Sequence, residues 1–297
     1  MKVFYRPQQV AYTSSFSPSA SKPRWVVEDW LNDPYIQCDI TKFDPVTEDQ
    51  ICLAHDPKFV RGVLSCRVEN GFGNRDAEVA MSLPYTTGSL LAAAKYAIEH
   101  SEICASPTAG FHHSRHHRVG PYCSFNGICI TALVLKQLGL VTRVGVIDTD
   151  AHHADGSEQI IKKLNLDWIE HHTMGRYFHD RAACVDGRFT RWLQRAIDRC
   201  KHTDLVIFQS GADCHISDPM GGQLTSPEMA ERDRMVFTQL GHIPLVFCLG
   251  GGYQTVEGST EAERLEPVLR LHRTTARIAC EVINKMSQVP RPTEMEA

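Results

Sequence analysis

The chain has 297 residues, of which 42% are hydrophobic and 22% charged, a composition typical of a globular protein with a large buried core. Its net charge of −4 and its lack of a Lys/Arg-rich run argue against nucleic acid as a partner. No segment approaches the roughly 18 apolar residues that span a bilayer, so we expect no membrane partner. The N-terminal residues do not resemble a signal peptide, and the eleven cysteines include no C-x2-C pair. We therefore expect reduced, buried cysteines and a cytoplasmic protein.

Predicted elements in the first hundred residues alternate with loops rich in turn-forming residues. They comprise a strand over residues 2–5, a Ser/Pro-rich loop over 14–23, helices over 25–31 and 56–64, an exposed turn-rich loop over 69–76 and an alanine-rich helix over 89–100. From about residue 100 onward, apolar strands alternate with helices. The strands are predicted over residues 103–105, 143–147, 167–169, 205–209 and 244–249. The helices are predicted over residues 125–138, 157–164, 189–201, 227–240 and 261–285.

This alternation of strands and helices predicts the fold class. Strands that alternate with helices of 10 to 15 residues form a parallel sheet with helices on both faces. We therefore predict an α/β fold, with a single three-layer αβα domain built on a central, mostly parallel sheet over residues 1–286. The polar residues 287–297 are predicted to form a C-terminal tail.

One stretch concentrates chemically active side chains at the end of a predicted strand. It reads Val144-Gly-Val-Ile-Asp-Thr-Asp-Ala-His-His-Ala-Asp-Gly156. An apolar run that ends in a polar cluster is typical of a buried parallel strand that delivers side chains to its C-terminal end. Side chains alternate along a strand, so Asp148, Asp150 and His152 project to the same side if the extended conformation persists.

Three further strand ends carry polar or glycine-rich stretches. The first contains His112 and His113 and continues to Asn126, the second contains Asp213, and the third is Gly250-Gly-Gly-Tyr253. The carboxyl ends of parallel strands lie at one edge of the sheet, where open α/β sheets bind their ligands. All four stretches can therefore converge in one crevice.

The residue types at these strand ends fit a hydrolase that uses one metal ion. Asp150, His152 and Asp213 supply two carboxylates and an imidazole, which leaves coordination positions for water and a substrate oxygen. His112 and His113 could transfer protons.

Three further residues could support this chemistry. Asp148 and Asp155 are available to fix the imidazole tautomers. Tyr253 could donate its hydroxyl hydrogen to a developing oxyanion.

The four stretches resemble the zinc-dependent histone deacetylase family of the arginase/deacetylase superfamily. The family patterns are G-x-H-H, G-F-C-x-x-N, D-x-D-x-H-H-G, G-x-D-x-x-x-x-D-P and G-G-G-Y, and counterparts occur in the same order between about residues 100 and 255. The resemblance implies one zinc ion bound by Asp150, His152 and Asp213. It implies catalytic roles for His112, His113, Tyr253, Asp148 and Asp155, with Asp148 behind His112, Asp155 behind His113, and His113 as the general base and acid.

The resemblance also implies further binding sites. A potassium ion is expected near Asp148, Asp150 and His152. Tyr122 matches the first of two aromatic residues that line the acyl-lysine tunnel in the family, and Phe178 or His179 lies near the second. Gly251 and Met220 complete the predicted substrate-binding residues.

Several positions depart from the family patterns. Pro121 and Tyr122 replace the glycine and phenylalanine of G-F-C, and Ala154 replaces the glycine after the His-His pair. The S-L-H segment that helps to bind potassium corresponds to residues 170–172, which read Glu-His-His. The rim aspartate of many relatives has no secure match, although Asn74 and Asp76 lie in the corresponding loop.

We predict a metal-dependent amidohydrolase that removes an acetyl or other short acyl group from an N-acylated amine, such as acetyl-lysine, in a small molecule or peptide. An acetylpolyamine or specialised-metabolite deacetylase with the same site is an alternative. An arginase-like ureohydrolase with two manganese ions is disfavoured, because Ala154 and His215 occupy the positions of two aspartate ligands. A non-catalytic acyl-amine-binding protein is also disfavoured, because the ligands, both histidines and the tyrosine are all present. Asp218 is interpreted as a structural turn residue.

Overall fold

The central strands of the sheet are short apolar runs in which every residue is buried, as expected for parallel strands covered on both faces. The computed structural model of the chain describes residues 1–288. Within this range a seven-stranded sheet has the order β2-β1-β3-β7-β6-β4-β5, and every neighbouring pair is parallel. The strands are β1 (Lys2–Phe4), β2 (Asp39–Thr41), β3 (Ile103–Ser106), β4 (Val144–Asp148), β5 (Ile169–Thr173), β6 (Leu205–Gln209) and β7 (Leu245–Cys248).

Ten α-helices connect and cover the strands in the described part of the chain. They are α1 (Lys22–Asn32), α2 (Glu48–Cys52), α3 (Pro57–Leu64), α4 (Ala77–His100), α5 (Gly127–Gln137), α6 (Asp155–Lys163), α7 (Arg181–Cys184), α8 (Arg188–Cys200), α9 (Ser226–Leu240) and α10 (Glu261–Ser287). None of the helices within residues 1–288 is both long enough and apolar enough to cross a membrane.

The alternation of side chains along the strands divides the core into two layers. In β6, Val206 and Phe208 pack with α1, α8, α9 and α10, whereas Leu205 and Ile207 pack with α3, α4, α5 and α6. The two helical layers therefore lie on opposite faces of the sheet. This arrangement confirms the predicted three-layer α/β fold, and the sheet, predicted to be mostly parallel, is parallel throughout.

The element bounds show where local sequence patterns were misleading. The strand predicted over residues 167–169 instead runs from Ile169 to Thr173, because the polar residues 170–172 form a half-buried edge strand. Helix α4 begins at Ala77 rather than residue 89, since Asp76 caps it and Pro84 is accommodated within it. Strand β2 and helix α2 were not predicted. Helix α10 extends through Ser287, and residues 289–297 of the predicted tail lie outside the described residues.

Candidate active site

Two carboxylates and one imidazole meet above the ends of β4 and β6. The Nδ1 atom of His152 lies 3.0 Å from Oδ1 of Asp150 and 2.9 Å from Oδ2 of Asp213. Each residue offers a ligand atom, and these atoms lie within 4.8 Å of one another. Both carboxylates are buried. Such a cluster of two aspartates and one histidine fits the donor preferences of zinc, and it could hold one metal ion.

Local turns, rather than a continued strand, bring these side chains together. Strand β4 ends at Asp148, so the extended conformation considered from the sequence does not persist beyond it. The Asp148 carboxylate accepts a hydrogen bond from the backbone N–H of Asp150 at 3.0 Å. The Asp150 carboxylate in turn accepts one from the N–H of His152, also at 3.0 Å. Two successive turns of this kind fold the chain over the sheet edge.

Glycine backbone packs closely around the two carboxylates. The N–H of Gly251 donates to Oδ2 of Asp150 at 2.7 Å. A Cβ atom at Gly251 would lie 2.4 Å from Oδ2 of Asp213, so a side chain cannot fit there. Gly251, predicted to bind substrate, therefore lies against the carboxylates of Asp150 and Asp213.

The histidine pair is held by two aspartates. His112 Nδ1 lies 2.8 Å from Oδ2 of Asp148, and His113 Nδ1 lies 2.7 Å from Oδ1 of Asp155. The two imidazole centroids are 4.1 Å apart, and His112 Nε2 lies 3.7 Å from Oδ1 of Asp150. The structure thus joins the same histidines and aspartates that the sequence patterns paired.

The two histidines have opposite pKa shifts. Although burial opposes the charged form, the carboxylates of Asp148 and Asp150 raise the pKa of His112 to about 9. Burial and the positive charge of His112 hold the pKa of His113 below its ordinary value, against the effect of Asp155. The carboxylates around His112 thus favour its cationic form, whereas the surroundings of His113 favour its neutral form.

Two cations that support the site were not predicted. Arg115 pairs with the second oxygen of Asp155, which leaves the first oxygen to His113. Lys22 is completely buried, and its Nζ donates to the carbonyl of Gly250 at 2.6 Å. Burial lowers the pKa of Lys22 to about 8, although nearby aspartates favour its charged form. Nothing in the local sequence signals either contact.

Tyr253 is positioned by an aspartate and by aromatic neighbours. Its backbone N–H donates to Oδ2 of Asp218 at 2.7 Å, so Asp218, interpreted as a turn residue, also fixes the tyrosine. Tyr253 is only 8% exposed. Burial together with nearby carboxylates raises the pKa of its hydroxyl, which therefore remains protonated. Phe16 and Tyr122 contact this ring, each with a centroid separation of 5.8 Å.

The remaining predicted substrate residues occupy different environments. Tyr122 is partly exposed beside Tyr253 and has a φ of +56°. Phe178 is buried in the core, where its ring packs against Phe189 and Trp192. Its neighbour His179 is exposed, and Met220 is 43% exposed on the loop after β6.

His215, which occupies the position of an aspartate ligand in a binuclear manganese site, does not belong to a second set of metal ligands among the described residues. Within residues 1–288, the cluster of Asp150, His152 and Asp213 is the one group of three or more histidine, cysteine or acidic side chains with ligand-like spacing. The Nε2 of His215 lies 2.9 Å from Oγ of Ser226, away from the cluster. These contacts do not favour a binuclear manganese site. The predicted potassium site stays a prediction.

The fold and these clustered side chains define a three-layer α/β protein with an Asp–His–Asp cluster that could hold a metal ion. The family model described as "Histone deacetylase domain" matches residues 19–179, more than half of the chain. The chain therefore belongs to the histone deacetylase family.

A sequence relative agrees with this assignment, and two solved structures share the fold. Histone deacetylase 2 of Arabidopsis thaliana is 29% identical over 205 residues, which cover 62% of this chain and 52% of that protein. The match thus spans about half the length of that relative. The acetylpolyamine aminohydrolase of Burkholderia pseudomallei has a TM-score of 0.68 at 16% identity, with 96% of this chain and 98% of that chain covered. The HD domain of HDA15 has a TM-score of 0.73 at 15% identity, with 97% and 92% covered. At such low identity, both structures show a shared fold alone.

Proposed function

We propose that this chain is a zinc-dependent deacetylase that hydrolyses the amide bond of an N-acetylated or other short-chain N-acylated amine. The observation that carries the proposal is the meeting of a buried Asp–His–Asp cluster with a histidine pair and a protonated tyrosine. Asp150, His152 and Asp213 would hold one zinc ion. When bound, zinc supplies a Lewis acid that polarises the amide carbonyl and lowers the pKa of water.

His113 is the proposed general base. Its pKa lies below the ordinary value, so the imidazole is neutral near pH 7 and can accept a proton from the attacking water. The hydrogen bond between its Nδ1 and Asp155 orients the ring and leaves Nε2 to accept the proton. The same nitrogen can then donate that proton to the departing amine.

His112 and Tyr253 are proposed to stabilise the negative charge that develops during the reaction. The elevated pKa of His112 keeps that imidazole cationic beside Asp148. The hydroxyl of Tyr253 remains protonated and can donate to the former carbonyl oxygen. Both groups would act in a buried site, where electrostatic interactions are stronger than in water.

The domain predicted over residues 1–286 is supported by one continuous sheet, and we infer that it is a single catalytic domain. We infer one zinc ion per chain and a potassium ion near Asp148, Asp150 and His152. All eleven cysteines are free, which supports a reducing compartment such as the cytoplasm.

An acylated polyamine is the second candidate substrate. The chain shares its fold with an acetylpolyamine aminohydrolase over almost the whole of both chains, and that fold does not separate this substrate from acetyl-lysine. Acetyl-lysine and acetylpolyamines both present an acetamide on a linear methylene chain, so the same catalytic groups would serve either one.

The test compares hydrolysis of a fluorogenic acetyl-lysine substrate with that of acetylated polyamines. The zinc-loaded protein should release acetate from at least one of them, and a chelator should abolish this release. Asp213→Asn is a matched variant that removes one ligand charge with little change in shape. Equal turnover by the loaded protein, the chelated protein and the variant would refute a zinc-dependent reaction at this cluster.

A further inference from the structure

The two histidine–aspartate pairs of the site differ in what the second carboxylate oxygen contacts. The Oδ1 atom of Asp148 accepts from the backbone N–H of Asp150 at 3.0 Å and from the side-chain amide of Gln209 at 3.2 Å. The Oδ2 atom of Asp155 instead accepts from Nε of Arg115 at 3.1 Å and from its Nη2 at 2.5 Å. One aspartate is therefore shared with neutral amides, and the other is shared with a guanidinium.

Arg115 holds Asp155 through two N–H groups of one planar side chain. Two such groups fix the direction of a carboxylate, which the single ammonium of a lysine does not do. The two side chains are about one-third exposed, at 34% and 31%. Although partial burial opposes ionisation, hydrogen bonds with His113 and Arg115 hold the pKa of Asp155 well below its usual range. Asp155 is therefore an ionised carboxylate with a fixed direction.

The backbone on both sides of this contact is fixed close to His113. The carbonyl oxygen of Arg115 lies 3.0 Å from Nδ1 of the buried His55. Asp155 is the first residue of helix α6, and a Cβ atom at Gly156 would lie 2.4 Å from the carbonyl carbon of His113. The start of α6 therefore packs directly against the backbone that carries the histidine.

The tautomer of His113 depends on this arrangement. Its Nδ1 lies 2.7 Å from Oδ1 of Asp155. An ionised carboxylate only accepts hydrogen bonds, so the hydrogen of the neutral imidazole lies on Nδ1 and Nε2 carries none. Without Arg115, the carboxylate would be free to turn away, and its full charge would favour a second proton on the imidazole. Either change makes Nε2 less available as a base.

We propose that Arg115 is a positioning residue of the deacetylase: it holds one oxygen of Asp155, so that the other oxygen keeps the hydrogen of His113 on Nδ1 and leaves Nε2 free to accept a proton. This inference rests on the proposed function. The equivalent oxygen of Asp148 contacts only amides, so the two histidine–aspartate pairs differ in their surroundings. Arg115 thereby distinguishes His113, the proposed general base, from His112.

A double-mutant cycle tests whether Arg115 acts through Asp155. Steady-state assays of the zinc-loaded protein, with the acylated amine that it hydrolyses faster, give kcat and KM for Arg115→Ala, Asp155→Asn and the double variant. Arg115→Ala should lower kcat about tenfold, the scale of one charge-assisted hydrogen bond, with KM changed less than about twofold. In the Asp155→Asn background, the same substitution should change kcat less than about twofold, because the carboxylate it acts on is already lost.

Two control variants separate the direction of the contact from its charge. Arg115→Lys retains the positive charge without the second N–H group, so its kcat should lie between that of the wild type and that of Arg115→Ala. Arg176→Ala removes an arginine that donates to Glu158 of the same helix at 2.9 Å, and it should retain the wild-type kcat and KM.

Nitrogen NMR of the imidazole rings reports the tautomer without turnover. The resonances of His113 are identified by their loss in His113→Gln. At about pH 8, above the ordinary pKa of histidine, wild-type Nε2 should have the chemical shift of an unprotonated nitrogen and Nδ1 that of a protonated one. In Arg115→Ala, the Nε2 resonance should move toward the protonated position, whereas Arg176→Ala should match the wild type.

Four results would overturn the inference. A protonated Nε2 in the wild type, or an unchanged tautomer in Arg115→Ala, would exclude control of the tautomer by Arg115. A loss of kcat that persists in the Asp155→Asn background would show that Arg115 acts on another group. A loss confined to KM would place Arg115 in contact with the substrate. Because the NMR measurement needs no turnover, absence of hydrolysis by the wild type would refute the proposed reaction while the tautomer still tests Arg115.

Discussion

Acidification should destabilise the protein through His55, a histidine that is completely buried. Its Nδ1 lies 3.0 Å from the backbone carbonyl of Arg115, and its Nε2 accepts a hydrogen bond from the N–H of Asn126 at 2.9 Å. These partners require a neutral imidazole with its hydrogen on Nδ1. A second proton, on Nε2, would face the N–H of Asn126 and would be buried without compensation.

The size of the effect follows from the pKa of His55. Burial lowers this pKa from 6.5 to about 4 in the folded protein. The unfolded chain therefore binds more protons than the folded chain between these values, and stability falls as the pH falls from about 6.5 to about 4. A pKa difference of one unit between the folded and the unfolded state corresponds to about 1.4 kcal/mol. Protonation of His55 in the unfolded state should therefore lower the free energy of unfolding by about 2 kcal/mol at pH 5 and about 3 kcal/mol at pH 4.

Urea unfolding of the wild type and of His55→Gln at several pH values measures this contribution. Glutamine can still accept from Asn126 but does not titrate, so the variant should lose about 2 kcal/mol less than the wild type between pH 7 and pH 5. His202→Gln, at an exposed position, is the matched control and should follow the wild type. If the wild type and His55→Gln lose the same free energy, the assignment of acid sensitivity to His55 is wrong.

Four predictions concern the site itself. Tyr253→Phe should lose most of kcat with zinc content unchanged in elemental analysis, because only a hydroxyl is removed; full activity would contradict its role. His152→Ala should abolish stoichiometric zinc binding. Zinc binding by the wild type near pH 7 should release a proton, since hydrogen bonds to Asp150 and Asp213 raise the pKa of His152 to about 11 in the absence of metal. Calorimetry in buffers of different ionisation enthalpy measures that release. Stoichiometric zinc retained by His152→Ala would refute the ligand assignment, and zero release would contradict a protonated His152 in the metal-free protein. Asp218→Asn should lower kcat about tenfold, the equivalent of one hydrogen bond to Tyr253, with KM and zinc content nearly constant. A change confined to KM would exclude this positioning role.

Local sequence patterns predicted the centre of the fold well because that region is governed by burial. Residues 205–208 form an uninterrupted apolar run that is followed by Gln209, and strand β6 has the predicted bounds, residues 205–209. Edge strands have a weaker apolar sequence pattern, since they have a neighbouring strand on one side only. Glu170, His171 and His172 therefore obscured β5, and the short strand β2 escaped prediction.

The candidate site was predictable where its residues occur in dense patterns at strand ends. His112 and Asp148 are 36 residues apart, yet each stands in a recognisable motif, and the structure joins them. Lys22 contacts the carbonyl of Gly250 across 228 residues, and no pattern around Lys22 marks that contact. Phe178 was predicted to bind substrate but packs in the core. An aromatic residue near a site has the same sequence pattern whether it lines a channel or fills the core.

The strand order has a consequence for biosynthesis. Strands β3 and β4 are consecutive in the chain, but β7 and β6 lie between them in the sheet. Strands β2, β1 and β3 form one group of neighbours, and β4 and β5 form another. The two groups therefore cannot join into one sheet until the ribosome has produced residues 205–248. The histidine pair follows β3, whereas Asp150 and His152 follow β4, so no nascent fragment shorter than this can assemble the site. A metal ion held by Asp150, His152 and Asp213 would therefore bind only after synthesis of nearly the whole domain.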